Sequence, residues 1–294
     1  MSDALKRVNI EVSAACNYAC VGCPNTYFDR GKGHMSMELW SKIFAEVGHT
    51  LEKAYLWNYG EPLLNPQITT MLESVRGSSV KKIVSTTGST LERFPDLRFM
   101  TALDEVIISI NGFTNDTYAL HQKNGDLETV KRGVRRLATV LADSQTDFVL
   151  QTVAHAHNLE QLALADTFAR GYGFKRVVIK SFNVMDNHVQ TFAQFVPVGT
   201  AFSRYDSNAR RRSDLAPKRE PCLDWMVINW NGDVNPCCWD YEGKYVLGNV
   251  AQQGVLGTWT SQPMIAHRNA ISAKQYLDIC ANCMGDTALK KWSV

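Results

Sequence analysis

Short apolar runs alternate with stretches of helical spacing through the first two thirds of the chain. Residues 6–12 carry a first strand pattern, and 37–47 place apolar side chains at three- and four-residue steps behind Ser36, a good N-cap. Further strand patterns lie at 53–57, 82–85, 105–110, 148–153 and 176–179, and further helical patterns at 67–76 and 127–141. Apolar strands separated by helices predict parallel βαβ units. Six such units are too few for the usual eight-stranded barrel, so the fold expected is α/β, a partial (β/α)6 TIM-type barrel. A doubly wound open sheet satisfies the same periodicity.

The pattern changes after residue 182. Residues 183–220 are polar and irregular, with Pro197, Gly199 and Arg210, Arg211 and Arg212, and read as a linker. A strand at 227–230, the turn Asn231-Gly232 and a strand from 234 predict a β-hairpin. A further strand at 245–248 and a helix at 262–271 complete the C-terminal part. The expected organisation is a core domain over 1–183, a bridging segment over 184–220 and a small hairpin-plus-helix domain over 221–294.

Composition changes this picture little, with 45% hydrophobic and 20% charged residues among 294, as in ordinary globular chains. A formal net charge of +2 argues against nucleic acid or an acidic membrane as partner. The basic stretch 204–219 reads as a solvated loop, with phosphate binding as the sharper alternative. No apolar run reaches the length of a membrane span, and the N-terminus has no signal-peptide pattern. The expected location is therefore the cytoplasm, where the eight cysteines stay reduced.

Those cysteines change the picture most. Cys16, Cys20 and Cys23 form a C-x3-C-x2-C run just after the first strand. Thiolates so closely spaced wrap one metal centre. Three cysteines leave a four-iron cluster one open iron, whereas structural zinc wants four closed ligands. His34 is the residue that would complete a zinc site, at a spacing unusual for zinc.

The run resembles the signature of the radical S-adenosylmethionine (SAM) superfamily. The resemblance implies a cluster on these three cysteines, SAM chelated at the open iron, and reductive cleavage to a 5′-deoxyadenosyl radical that abstracts hydrogen from a substrate. It extends over roughly the first 180 residues. Gly60-Glu61-Pro62 follows the second strand, where the family's Gly-Glu-Pro motif meets the SAM ammonium. Thr86-Thr87-Gly88 stands where relatives carry Thr-Asn-Gly, and Ser109 and Asn111 where relatives touch the SAM ribose and carboxylate. Lys123 replaces an arginine expected at the SAM carboxylate, a point charge in place of a bidentate fork, and Gln151 is a further ribose candidate. Gly22 stands where the family places an aromatic residue, so adenine contacts are expected from Tyr18 or Tyr27. As a set these positions share the C-terminal ends of strands, where βα loops build the active face of barrels.

Cys222, Cys237, Cys238, Cys280 and Cys283 remain. Cys280 and Cys283 form a C-x2-C claw, and Cys237 follows a hairpin that returns the chain toward Cys222. By themselves four such thiolates make either a zinc ribbon or a second cluster. Pro236-Cys237-Cys238, Leu247-Gly248-Asn249-Val250, Thr258-Trp259 and the C-x2-C pair together are similar to the SPASM/Twitch extension of radical SAM enzymes. With no cysteine after Cys283, the resemblance implies the shorter Twitch form, with one auxiliary four-iron cluster on Cys222, Cys237, Cys280 and Cys283. Cys238 is then spare, either a small buried residue beside the cluster or a hydrogen-atom donor.

The implied cofactors are SAM and two [4Fe–4S] clusters, with a reductant such as flavodoxin or ferredoxin as partner. Length and the single auxiliary cluster resemble the aminocyclitol dehydrogenases and aminoglycoside epimerases of antibiotic pathways. The reaction expected is oxidation or epimerisation of a polar small molecule. The alternative is cross-linking or epimerisation of a ribosomally made peptide, against which stands the lack of an added module before the first strand. A non-catalytic zinc or iron–sulfur module is the third reading. Lys180, at the end of the sixth strand, is the candidate acid–base residue, ahead of His155, His157, Asp186 and His188.

Overall fold

The computed structural model describes residues 4–185, 189–212 and 223–280. Six parallel strands lie in chain order, β1 (Arg7–Ile10), β2 (Lys53–Tyr55), β3 (Lys81–Thr86), β4 (Glu105–Ser109), β5 (Asp147–Ala154) and β6 (Arg176–Ser181). Beyond β1 the sheet continues without a break. β7 (Trp225–Ile228) pairs parallel to β1, and β8 (Asp233–Asn235) and β9 (Gly248–Asn249) add antiparallel, giving the order β6-β5-β4-β3-β2-β1-β7-β8-β9. The fold is the expected partial barrel, with the C-terminal hairpin grafted onto its first strand. The doubly wound alternative fails because β1 to β6 lie side by side in chain order, with no reversal among them.

Two helices show why these segments fold as they do. α1 (Met37–Val47) starts at Ser36, whose Oγ accepts from the Leu39 amide, and buries Leu39, Trp40, Ile43, Phe44 and Val47 on one face. The next two helices are α2 (Ile68–Ser74) and α3 (Asn115–His121). α4 (Leu127–Leu141) starts at Asp126, which accepts from the Glu128 and Thr129 amides, and buries Leu127, Val130, Val134, Leu137 and Leu141. These faces cover the outer side of the sheet, where Val8, Ile10, Ala54, Val84, Val106, Ile108, Phe148 and Leu150 complete one core. Each fully buried side chain of this size contributes about 1.5–3 kcal/mol. The chain is completed by α5 (Ala165–Gly171), α6 (Val189–Phe195), α7 (Val250–Trp259) and α8 (Gln262–Ser272).

Strand alternation gives the inner face a different character. Ile83, Ile107 and Val149 form an inner floor with Tyr55, Trp57 and Val178 against it. Two residues further along the same strands, the same face carries Ser85, Ser109, Gln151 and Lys180, none of them buried. β6 was expected as a buried strand. It is the sheet edge, and Arg176, Ile179 and Lys180 on it are exposed. The segment expected as a linker holds α6 and a bridge between Tyr205 and Arg211. Arg212 donates to the Thr200 and Ser203 carbonyls, which ties the basic stretch into its own loop. Among the described residues no helix is long and apolar enough to cross a membrane.

Candidate active site

The cysteine loop leaves β1 and returns to α1. It is closed at its base by Ala14 N–H to the Gly33 carbonyl (2.9 Å) and Met35 N–H to the Val12 carbonyl (3.0 Å). Its far side docks on the end of α3 and the turn that follows, where Val21 N–H reaches the His121 carbonyl (2.9 Å) and Ala19 N–H the Lys123 carbonyl (3.1 Å). Cys16, Cys20 and Cys23 are half-buried and not in disulfides. Burial pushes the Cys16 thiol up to about 12 and the Cys20 thiol well above its ordinary range, and the neighbouring thiols add to both shifts. Thiols so placed ionise when a cationic metal centre takes them as ligands. Among the described residues no three His, Cys, Asp or Glu side chains gather around a single ion. Four donors on one zinc would stand about 4 Å apart, from Zn–S bonds of about 2.3 Å. His34, the residue expected to complete a zinc site, is exposed and bridges Ser13 through its backbone. Three thiols on one loop, with His34 turned to its own backbone bridge, are the donor set of an iron–sulfur centre with one open iron and one ligand short of a closed structural zinc site.

Gly22, the departure from the family pattern, has φ +77°, and a Cβ there would lie 3.0 Å from Phe182 Cζ. Phe182 from the β6 end fills the space next to this turn, and an L side chain at Gly22 would be strained.

The Gly60-Glu61-Pro62 turn packs directly under the cysteine loop. A Cβ on Gly60 would stand 2.7 Å from the Ser13 carbonyl carbon and 2.8 Å from that of Ala14, and Glu61 N–H donates to the Ala15 carbonyl (2.8 Å). Glu61 is buried and accepts four hydrogen bonds, from Leu63 N–H (3.1 Å), Thr86 Oγ1 (2.6 Å), Thr87 N–H (2.8 Å) and Thr87 Oγ1 (2.9 Å). Burial raises its pKa more than these donors lower it. Pro62 opens a 3-10 turn, Pro62–Leu64, capped by that carboxylate. Glu61 thus ties the turn after β2 to the β3 end, and Ser89 extends the tie to the cysteine loop through Asn17 (3.0 Å).

Asn111 is 3% exposed and fully engaged. Its Oδ1 accepts from Val153 N–H (2.8 Å), its Nδ2 faces His121 Nδ1 (3.1 Å), and its carbonyl accepts from His155 Nε2 (2.9 Å) and Asn158 Nδ2 (3.1 Å). It locks the β4 end to the β5 end. Because a carbonyl only accepts, His155 carries its proton on Nε2. His121 and His155 stack at 5.2 Å, and burial lowers them to about 3 and about 4 respectively, so both are neutral. Ser109 gives its carbonyl to Gln122 Nε2 (3.0 Å) and stands beside Gln151 in register on the inner face. Tyr18 is buried, its hydroxyl 2.9 Å from that of Tyr118, whereas Tyr27 is 37% exposed and meets Tyr241 edge-on. Of the two rings expected at adenine, Tyr27 is the accessible one. Lys123 is exposed, and its backbone rather than its ammonium meets the cysteine loop. Lys180 lies in register with Val153 on the exposed edge strand.

Cys237 and Cys238 follow β8, and Cys280 is buried. The Trp239 amide points at Cys237 Sγ (3.4 Å), a donor placed to stabilise thiolate character there. Cys222 and Cys283, together with Asp186 and His188, lie outside the described residues. The two cysteine regions are joined by residues absent from the sequence-based list of candidates. Tyr59 is half-buried and donates its hydroxyl to the Cys238 carbonyl; desolvation, with the charge of Cys238, Cys23 and Cys237 behind it, pushes its phenol well up. Glu11 accepts a bidentate pair from Arg30 (2.8 and 2.5 Å), and Arg30 Nε reaches the Tyr241 carbonyl (2.6 Å). The signal for this pair was present: an acidic residue inside the apolar run that leads to the cysteines.

The family comparisons agree with this geometry. Residues 10–155 match the radical SAM superfamily, and residues 222–284 match the SPASM iron–sulfur cluster-binding domain. The chain is 22% identical, over 95% of its length and 87% of the relative's, to the tungsten-containing aldehyde ferredoxin oxidoreductase cofactor-modifying protein of Pyrococcus furiosus. It is 24% identical to a probable GTP 3′,8-cyclase of Methanococcus maripaludis, covering 77% of this chain and 76% of that one. Among solved structures, BtrN in complex with AdoMet and 2-DOIA superposes with a TM-score of 0.56 at 16% identity, covering 98% of this chain and 96% of BtrN. Streptococcus suis SuiB bound to precursor peptide SuiA gives 0.66 at 13%, covering 96% of this chain and 70% of SuiB. At these identities the solved structures establish a shared fold.

Proposed function

The chain belongs to the radical SAM superfamily and carries a SPASM-type iron–sulfur domain, and from that premise we propose that it oxidises or epimerises a polar small molecule, with amino sugars and aminocyclitols as the substrate class. Its cofactors are SAM and two [4Fe–4S] clusters. When bound, the first cluster and SAM supply the power to abstract a hydrogen atom from the substrate.

The chain's own residues divide the remaining work. Cys16, Cys20 and Cys23 hold the first cluster. Gly60 lets the Gly-Glu-Pro turn approach it, and Glu61, Thr86 and Thr87 fix the backbone that faces SAM. Cys237, with its thiolate supported by the Trp239 amide, joins Cys222, Cys280 and Cys283 at the auxiliary cluster. Lys180 Nζ holds the reacting hydroxyl or amine and moves its proton. In epimerisation the Cys238 thiol gives a hydrogen atom to the opposite face of the substrate carbon, and the thiyl radical left on Sγ takes an electron from the flavodoxin- or ferredoxin-type reductant and a proton from solvent. Asn111 and Tyr18 support the site from behind, Asn111 by locking two strand ends and Tyr18 by bracing the cysteine loop.

The observation that carries the reading is the inner face of the barrel. An apolar floor of Ile83, Ile107 and Val149 stands below a polar rim of Ser85, Ser109, Gln151 and Lys180, a lining suited to a small ligand with many hydroxyl or amino groups. The near-complete mutual coverage with BtrN, and curated relatives whose names specify a cofactor and GTP, support the same class. Peptide modification is the second reading, favoured by the fold shared with peptide-bound SuiB, of which 30% lies outside the superposition.

The test is anaerobic formation of 5′-deoxyadenosine by the reduced, reconstituted protein with aminocyclitols, aminoglycosides and candidate peptides side by side. Stimulation by one sugar class is expected. The product mass then separates oxidation, with loss of two hydrogens, from epimerisation. Stimulation by peptides alone overturns the small-molecule reading.

A further inference from the structure

Tyr59 touches both cysteine regions with one side chain. It stands immediately before Gly60-Glu61, the turn that packs under the cysteine loop. Its ring runs edge-on into Phe28, five residues after Cys23, and into Tyr241, three residues after Cys238, at 6.2 Å each and at 71° and 82°. Tyr27 closes the same cluster against Tyr241 (5.8 Å), and the Arg30 guanidinium lies over Phe28 (4.5 Å). Edge-to-face packing is directional, so neighbours on both segments hold the ring in one orientation.

The hydroxyl at the end of that ring donates to the Cys238 carbonyl, with Met185 Sδ 3.9 Å away as a weak second acceptor. The charges of Cys238, Cys23 and Cys237 all reach this phenol, so it lies within electrostatic range of thiols from both sets. Cys238 directly follows Cys237, and the carbonyl that takes the bond is therefore one residue from an auxiliary ligand.

The other end of the link is anchored on the chain that leads to Cys16. The Tyr59 amide donates to Glu11 Oε1 (3.4 Å), and the Glu61 amide donates to the Ala15 carbonyl (2.8 Å). A connection of this kind transmits state. With the auxiliary thiols closed around their centre, the Cys237–Cys238 peptide is fixed and its carbonyl stands where Tyr59 donates. With that centre lost, the peptide gains freedom, the bond is made only part of the time, and the turn after β2 loses a fixed point. That turn meets the SAM ammonium, so SAM affinity follows the state of the auxiliary site, and by linkage SAM steadies that site to the same degree.

We propose that Tyr59 is a positioning residue that couples the auxiliary cysteine site to the SAM-facing turn, so that SAM binds more tightly when the auxiliary site is filled. This coupling rests on the auxiliary cysteine set assigned above and is indifferent to the substrate class.

The test is SAM affinity, read by anaerobic equilibrium dialysis of labelled SAM, for the reconstituted parent, Tyr59→Phe, Cys280→Ser and the double variant. Phenylalanine keeps the ring packing and removes only the hydroxyl. Cys280 lies on a separate segment, so serine there empties the auxiliary site without touching the Tyr59 contact. Tyr59→Phe is expected to weaken SAM about fivefold, the loss of one hydrogen bond, with iron content unchanged. Cys280→Ser is expected to weaken it to a similar extent at about half the iron, and the double variant is expected to be no weaker than Cys280→Ser. Cys237→Ser, a second way to empty the site, is expected to match Cys280→Ser. Parent affinity in Tyr59→Phe overturns the coupling, and so do losses that multiply in the double variant, because the two effects are then independent. Iron content tells these failures from a wrong cysteine set: full iron in both serine variants removes the auxiliary ligand assignment, and the coupling falls with it.

Discussion

The Glu11–Arg30 pair offers the most direct test of how the two halves of the site are held together. Glu11 has no exposed side-chain surface and Arg30 retains 11%, so both charges are largely desolvated. Removing one partner of such a pair costs about 3–5 kcal/mol, because the other charge stays buried without compensation. Arg30→Met keeps the length of the side chain, removes its charge, and frees the Tyr241 carbonyl. For a chain of this size 1 kcal/mol corresponds to about 2–4 °C in melting temperature, so the expected fall is about 6–20 °C. Glu11→Leu with Arg30→Met removes both charges and is expected to recover most of that loss. The residue left over is about 1 kcal/mol for each orphaned partner, the Tyr59 amide and the Tyr241 carbonyl. The assay is anaerobic melting of the reconstituted single and double variants at one scan rate, read as a double-mutant cycle. An Arg30→Met loss below about 2 °C, or a double variant no better than the singles, refutes the claim that this pair is a buried, coupled clamp.

Three further outcomes follow from the same geometry. Gly60→Ala forces a methyl into the Ser13–Ala14 backbone, so the turn must retreat from the cysteine loop, at about 1–3 kcal/mol; iron bound by the N-terminal site is expected to fall, and retention of iron and of SAM affinity at the parent level contradicts the close-approach argument. Cys237→Ser is expected to lower iron content by about half and Cys238→Ser to leave it unchanged, as read by iron and sulfide analysis; equal losses reassign the ligand. His155 is held at about 4 against about 6.5 unfolded, so the unfolded chain binds the extra proton between those values. Its contribution, about 3 kcal/mol when complete, is present above pH 6.5 and is lost as the pH falls toward 4. Melting temperature across that range is expected to decline with acid, less steeply in His155→Gln, and a flat profile defeats the assignment.

Legibility in the sequence followed the strength of the local signal. α1 and α4 have their expected limits because Ser36 and Asp126 cap them and an apolar face runs their whole length. α3 and α5 are as short as α2 but lack its apolar stripe of Ile68, Met71 and Leu72, burying only Tyr118 and His121 or two alanines, and α7 alternates small residues with Gly254 in a non-helical conformation. The cysteine spacing and the Gly-Glu-Pro turn were legible because spacing is itself the signal. Asn111 and Lys123 show what was not. Their types suit a polar ligand, but a sequence does not record that every polar atom of an amide is already engaged, or that a lysine meets its neighbour through its carbonyl. Tyr59 and Arg30 act across more than 170 residues of chain, a distance over which local pattern carries no information.

The pairing of β1 with β7 has a consequence for the birth of the protein. Arg7 faces Trp225 in that ladder, so the first strand waits for a partner made some two hundred residues later. At synthesis rates of about 5–20 residues per second, that interval is roughly 10–40 s. Throughout it the nascent chain presents a bare hydrogen-bonding edge beside three reactive thiols. Emergence of the last quarter of the chain is therefore the event that seals the edge, and protection of β1 amides from exchange in stalled nascent chains should begin only once β7 has cleared the ribosome.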